Sequence, residues 1–365
     1  MGAALREQNL GPVRWLVVSG RAGDCFHALG VRMRAEIREA VTEWTSTRVL
    51  CEHVSAAPGR EQFAAVLSAT QAHFAAEWAE LAALADGAGV AVEDLALLNF
   101  RGDLGKVEGS FNCSDLAWRR SRSFIAHNED QGASMTGRCV LLTLDIDGLA
   151  PVWAFWCPMF LPGNAFSVTD RLVVSVDSLT VPEPGPWAGR HFVARGLQRR
   201  CQTVEESIDF LRVSPSASGY AYTIGDYPAV SHEPGRGPGR IAGVEAVRDE
   251  LHVAEVGGPA GPLFWHTNHA RFLPGTAGAG TCERAPVLAG SPVPGEEPDA
   301  AWLLRLLAGA PVPEGVRVDP TGKHPFLTMC TFVADLTAGV ATLQWRGAPP
   351  VHLPMRELVT AGRCG

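Results

Sequence analysis

The chain has 365 residues, 46% of them hydrophobic and 19% charged, and its formal net charge is −8. That composition is globular and leaves ample chain for a sizeable core. Arginines scattered over an acidic background exclude a nucleic-acid footprint, and no run of about eighteen apolar residues offers a membrane span. The opening MGAALREQNLGPVRWLVVSG lacks the layout of a secretory signal, and the nine cysteines show no paired CxxC spacing. Reduced thiols in a cytoplasmic protein are therefore expected.

From Cys25 to Trp44, apolar residues recur every three or four positions (Phe26, Leu29, Met33, Ile37, Val41, Trp44), predicting a helix with Asp24 as its N-cap. A second stripe, Phe63 through Leu84, runs to ADGAG, where glycine stops the helix, and a shorter helix covers VEDLALLNF. The first hundred residues thus read as helical, with their Trp and Phe stripes facing a core. Short β-branched and aromatic runs then follow: SFIAHN, CVLLTLDI, VWAFWC and LVVSVDSL. Two helices, GRHFVARGLQRR and TVEESIDFLR, separate these from a second set of strands: YAYTIGD, IAGVEAV, LHVAEV, LFWHTN, FLTMCTFVADL and VATLQWR. The Gly- and Pro-rich stretch from Phe272 to Ala300 reads as a long surface loop before a helix at AWLLRLLAG, and Glu233 to Arg240 as another loop. Helices, hairpin-linked strands, helices and strands again predict an α+β fold of four layers, with two antiparallel sheets packed together and helices outside. No glycine-rich phosphate loop follows a strand, so no dinucleotide or ATP is expected.

In FNCSDLAWRRSRSFIAHNEDQ, Cys113 sits in a polar, turn-prone setting that suits a reacting thiol better than a packing one. A thiol needs a base, because only a few per cent of it ionises unaided at neutral pH. Cutting the backbone between Asn112 and Cys113 supplies one, since the freed α-amine has an ordinary pKa of about 7.7–8.0. One of the carboxylates in His127-Asn128-Glu129-Asp130 can then hold that amine by a charge-assisted hydrogen bond. Downstream, Trp265-His266-Thr267-Asn268-His269 ends another strand, and the Asn268 amide is a candidate donor to the oxyanion. His127, His266 and His269 show no metal-ligand spacing, so no metal is expected. A papain-like cysteine–histidine pair is the alternative use of those histidines.

Read in order, SGRAGDCFHALGVRMRAEI, WAELAALADGAGVAVEDLALLNFRGDL, NCS, HNED, PGNAFSVTDRLVVSVDSL, GRHFVAR and HTNH resemble the acyl-coenzyme A:6-aminopenicillanate acyltransferase-like family. Within it they are most similar to the carcinine and β-alanyl-dopamine hydrolase branch of self-processing N-terminal-nucleophile hydrolases. The resemblance implies an αββα sandwich, in agreement with the four layers read from patterning. It makes Cys113 the nucleophile, Asp130 the carboxylate beside the amine with Glu129 as its substitute, and Asn268 the oxyanion donor. Arg101 of LNFRGDL takes a supporting role, and Gly163 and Asn164 lie in a loop that walls the substrate pocket. Asn112 stands where many members carry glycine.

The expectation is therefore a precursor cleaved into a helical α chain, residues 1–112, and a nucleophile-bearing β chain, 113–365, that together form one αββα domain. It hydrolyses a linear amide, an N-acyl or β-alanyl-type amine, through an acyl-enzyme on Cys113. Acyl transfer to an amine acceptor in specialised metabolism such as antibiotic biosynthesis is the runner-up, with a coenzyme A thioester as its donor; otherwise no cofactor is expected. Expected partners are the small-molecule substrate, the chain's own two fragments and further copies in a homo-oligomer. An uncleaved, non-catalytic homologue is the reading from another class. Cys139, Cys157 and Cys330 are expected to be packing residues.

Overall fold

The sequence EQNLGPVRWLVVS sets a polar run and an apolar run on either side of a Gly-Pro pair, and it forms a hairpin. The computed structural model describes residues 2–105, 112–227, 239–258, 261–277, 282–320 and 326–363. In it β1 (Ala4–Leu10) pairs antiparallel with β2 (Val13–Gly20), and Gly11, at φ 59, supplies the left-handed residue of the two-residue turn. This corrects the all-helical reading of the first hundred residues: the two short strands carry no clear period of two and stand beside much stronger helical stripes.

Those stripes form six helices: α1 (Ala22–Arg32), α2 (Arg34–Thr42), α3 (Thr45–Ser55), α4 (Ala57–His73), α5 (Ala75–Ala88) and α6 (Val92–Asn99). The predicted first helix breaks at Met33 and the second at Phe74, while Gly89, at φ 68, stops α5 as expected. The strands β3 (Asn112–Arg119), β4 (Ser123–Gly132), β5 (Val140–Ile146), β6 (Val152–Trp156), β7 (Phe166–Val168) and β8 (Leu172–Ser178) come next. Then follow α7 (Arg190–Arg200), α8 (Val204–Val213), β9 (Gly219–Asp226), β10 (Ile241–Val247), β11 (Glu250–Glu255) and β12 (Leu263–His266). The predicted loop from Phe272 to Ala300 instead carries α9 (Pro274–Ala277) and α10 (Arg284–Ala289); α11 (Ala300–Ala308), β13 (Phe326–Asp335), β14 (Val340–Trp345), β15 (Val351–Pro354) and α12 (Met355–Thr360) complete the chain. Most of the loop read at Glu233 to Arg240 lies outside the described residues.

A nine-stranded sheet, β1-β2-β5-β6-β7-β8-β9-β10-β11, faces a six-stranded sheet, β12-β3-β4-β13-β14-β15. All pairs are antiparallel except β2 with β5, whose parallel register ties the N-terminal hairpin to the centre of the chain. Alternation decides what each face of the smaller sheet buries. Leu116, Trp118, Phe124, Ala126 and Val333 pack outward against α10 and α11, while Ala117, Ile125 and Phe332 point inward, where Phe166 stacks on Phe332 at 4.5 Å. Each such side chain stabilises the sandwich by about 1.5–3 kcal/mol. Of the first eight helices α1 and α8 pack on strands of the larger sheet and the others pack on neighbouring helices, while α12 bridges both sheets. Glu80 on α5 forms a buried bidentate pair with Arg195 on α7, at 2.7 and 3.0 Å, locking two helices from opposite halves of the chain together. No described helix is long and apolar enough to cross a membrane.

Candidate active site

The β3–β4 register sets Asn112 opposite Asp130, Cys113 opposite Glu129 and Asp115 opposite His127. Because side chains alternate along a strand, Cys113, Asp115, His127 and Glu129 fall between the sheets, and Ser114, Asn128 and Asp130 face α10 and α11. The four-residue HNED segment therefore splits into two sets that work on opposite faces.

On the inner face His127 donates on both sides, through Nδ1 to Asp115 Oδ1 at 2.7 Å and through Nε2 to Glu129 Oε2 at 3.0 Å. Asp115 Oδ2 accepts from the hydroxyls of Ser175 on β8 and Thr223 on β9, at 2.8 and 2.6 Å. Glu129 Oε1 accepts from Gln131 Nε2 at 2.6 Å, and the Cys113 thiol points at Glu129 Oε2 at 4.0 Å. All of these groups are buried. Burial opposes a charge on His127, but the hydrogen bonds to Asp115, Cys113 and Glu129 overcome it and hold the imidazolium well above its ordinary pKa. The Cys113 thiol is pushed up, first by burial and then by the Glu129 carboxyl, against the influence of His127. The sulfur is therefore a thiol.

On the outer face Arg284, at the start of α10, is the hub. Its Nη1 donates to the Cys113 carbonyl, to Ser114 Oγ at 2.7 Å and to Asp130 Oδ2 at 3.2 Å, and its Nη2 donates to Asn268 Oδ1 at 2.6 Å. Thr328 Oγ1 on β13 donates to Asp130 Oδ1 at 2.6 Å. Burial raises the Asp130 carboxyl to about 7, with Arg284 and Thr328 pulling the other way. Asn128 donates to the Leu307 carbonyl on α11 at 2.8 Å and accepts from Thr331 at 2.6 Å, so it anchors the helix layer.

Asn268 owes its place to where β12 stops. The β12–β3 ladder ends with His266 opposite Asp115, two residues short of Cys113. The Asn268 side chain fills the missing rung: its Oδ1 accepts from Cys113 N at 2.8 Å, and its Nδ2 donates to the Ser178 carbonyl at 3.0 Å. Behind it, His266 Nε2 meets Glu245 at 2.8 Å and Nδ1 meets Asp177 at 3.4 Å. The second contact is long for a hydrogen bond and acts mainly by charge. Burial opposes the His266 charge, the two carboxylates overcome it, and its pKa rises to about 9. Glu245 also accepts the backbone N–H groups of Phe272 and Leu273, at 3.0 and 2.7 Å, which fixes the turn that carries Asn268.

The remaining predicted residues lie further out. His269 is half-buried and bonded to Thr267 at 2.7 Å. Arg101 lies 3.8 Å over the Phe160 ring with His191 at 3.5 Å, a supporting position. Gly163, at φ 120, backs onto Gln198, and from its loop it is Phe166 that reaches His127, ring centroids 5.6 Å apart. Asn164 is half-buried beside Gly163. The Asn112 side chain lies outside the described atoms.

Among the described residues, Cys113, His127 and Glu129, and likewise Asp115, His127 and Asp177, bring ligand-type atoms within 4.8 Å of one another. Both sets depend on one histidine whose two ring nitrogens each face a carboxylate and whose charge is held high. The donor set therefore fits a proton network better than a resident metal.

Sequence reasoning missed Arg284, hidden in the expected loop, and the polar inward-facing residues Asp115, Ser175, Asp177, Thr223 and Glu245. A signal for most of them exists: Ser175, Asp177, Thr223 and Glu245 interrupt largely apolar strand runs, and a buried polar group without a partner is too costly to persist.

The architecture defines a two-sheet sandwich flanked by helices, with a buried thiol near the start of an inner strand and the nitrogen of the same residue held by a side chain. A model of the acyl-coenzyme A:6-aminopenicillanic acid acyl-transferase family matches residues 118–274, a stretch that holds HNED and HTNH and begins five residues after Cys113. No curated protein matches the chain. Among solved structures, a mutant and a variant of the conjugated bile acid hydrolase from Clostridium perfringens are similar at 11% identity, each over 67% of this chain and 93% of theirs, with TM-scores of 0.41 and 0.42. The penicillin V acylase from Agrobacterium tumefaciens is similar at 12% identity over 67% and 86%, with a TM-score of 0.38. Likenesses of that size carry no argument about function, and the fold stands on its own strand order.

Proposed function

We propose that the chain is an enzyme acting at amide bonds, a cysteine amidohydrolase that cuts itself between Asn112 and Cys113. The observation that carries this is the 2.8 Å grip of Asn268 Oδ1 on Cys113 N, with Arg284 on the carbonyl of the same residue. A main-chain nitrogen held by a side chain rather than by a strand partner is a nitrogen prepared to change state. Once freed, it takes the thiol proton, Sγ attacks the substrate carbonyl, and an acyl-enzyme forms and hydrolyses. Asp130 acts on the amine end through Arg284, and Asn268 steadies the oxyanion. The substrate class is a linear N-acyl or β-alanyl-type amine; transfer to an amine acceptor, from a coenzyme A thioester donor, is the variant in which water is kept out.

The β2–β5 pairing and the Glu80–Arg195 pair span the cut, which supports two fragments that stay associated. A second reading, an enzyme that works uncut, is favoured by the closeness of His127 to Cys113. Intact mass separates the two. Wild type should give fragments of about one-third and two-thirds of 38.9 kDa, the larger beginning at Cys113, and Cys113→Ala a single inactive chain. An active wild type of full mass overturns the self-cleaving reading.

A further inference from the structure

Self-cleavage raises a problem that the mature mechanism does not answer. Before the cut, Cys113 N is an amide and no base, while burial and the Glu129 carboxyl hold the sulfur as a thiol. A thiol buried among protein groups must pass its proton to one of them. Of the neighbours, His127 has both ring nitrogens turned to carboxylate oxygens, at 2.7 and 3.0 Å. Asp130 lies on the other face, with its oxygens taken by Thr328 and Arg284. Asp115 is held by His127, Ser175 and Thr223. Glu129 differs: Gln131 holds Oε1 at 2.6 Å, His127 holds Oε2, and that same Oε2 faces Cys113 Sγ at 4.0 Å.

We infer that Glu129 is the catalytic proton acceptor for the Cys113 thiol in the uncut chain, with His127 and Asp115 as positioning residues that keep Oε2 aimed at the sulfur. The inference rests on the self-cleaving reading and adds to it the group that starts the reaction. The thiol proton passes to Glu129 Oε2, and Sγ bonds to the Asn112 carbonyl carbon. The bond from that carbon to Cys113 N breaks, and the proton held by Glu129 goes to the leaving nitrogen. The product is a thioester, an isomer of the starting amide. Water then splits it into the Asn112 carboxylate and a free Cys113 that carries both thiol and amine. From that point the amine takes over, and Glu129 is needed only once per molecule.

Other groups set the field around this pair. Asp177 on β8, linked to His266 on β12, and Tyr220 on β9 act on the sulfur or its neighbours, and Arg284 on α10 favours the thiolate. Burial pushes the Cys139 and Cys330 thiols well up, so neither competes for the proton.

The test is the rate of chain cutting in full-length protein, followed by intact mass from about pH 6 to 10. Glu129→Gln should slow cutting by at least about a hundredfold near neutral pH. It should also convert a flat pH profile into one rising about tenfold per pH unit, as hydroxide replaces the lost acceptor. Glu129→Asp, which keeps the carboxylate but shortens it, should cut at an intermediate rate with the flat profile retained, and it decides the matter alone if the Gln variant does not fold. Cutting by Glu129→Gln at the wild-type rate and profile, or equal slowing of both variants without any pH response, overturns the inference and leaves self-cleavage standing. A wild type that stays whole across the whole range removes the self-cleaving reading itself, and the inference with it.

Discussion

Two buried histidines in this sandwich are each clasped by two carboxylates, and they serve different ends. His127 lies between Asp115 and Glu129 beside the thiol; His266 lies between Asp177 and Glu245 under the Asn268 turn. The difference is in what the outer carboxylates meet next. Glu245 spends its oxygens on backbone N–H groups, so its charge is locked into holding a turn. Glu129 keeps one oxygen facing a sulfur, the contact on which its proposed role as proton acceptor rests. The same clasp is structural or chemical according to the last lone pair.

The largest effect that can break this comparison is on stability. His266→Gln should cost about 3–5 kcal/mol, because the buried Asp177 has no hydrogen-bond partner among the described residues and loses the nearest positive charge that keeps it ionised. His127→Gln should cost clearly less, since Ser175, Thr223 and Gln131 still serve its two carboxylates. Urea unfolding of both variants checks the order, and equal costs would erase the distinction.

A second, smaller effect follows from pH. The folded His266 is raised to about 9 from an ordinary 6.5, so its contribution is full below about 6.5 and is lost as pH rises through 9. Wild type should lose melting temperature over that window, and His266→Gln should show a flatter curve. Parallel curves would remove His266 from the account. The smallest effect sharpens the chemical half: Ser175→Ala takes one donor from Asp115 and should cost about 1.5–3 kcal/mol. A neutral result in urea unfolding would mean that the Asp115 charge does not depend on that hydroxyl.

Much of this was legible in the sequence. The strand runs, the helices from Arg190 to Val213 and the four layers follow from periodicity, because each element buries one face and writes that face into its pattern. The N-terminal hairpin was missed because a two-strand pattern of seven or eight residues is weak beside helical stripes. Cys113 and HNED stood out because polar residues flank and fill an otherwise apolar strand pair. Periodicity did not say which of Glu129 and Asp130 shares the sulfur's face; that is fixed by the Cys113–Glu129 register, a long-range fact. Arg284 was invisible for a similar reason. A six-residue helix in a Gly- and Pro-rich stretch carries little local signal, and Cys113, Ser114 and Asp130, which Arg284 joins, lie over a hundred and fifty positions upstream.

The early stop of β12 has one more consequence. A carbonyl within a ladder is fixed by its own strand and cannot track a nitrogen that turns from flat to pyramidal. The amide oxygen of Asn268 hangs on two side-chain bonds and is steadied by Arg284, so in the proposed cleavage it can stay with Cys113 N as that atom becomes an amine. On that proposal, breaking the bond at this end of the sheet needs no strand to unzip.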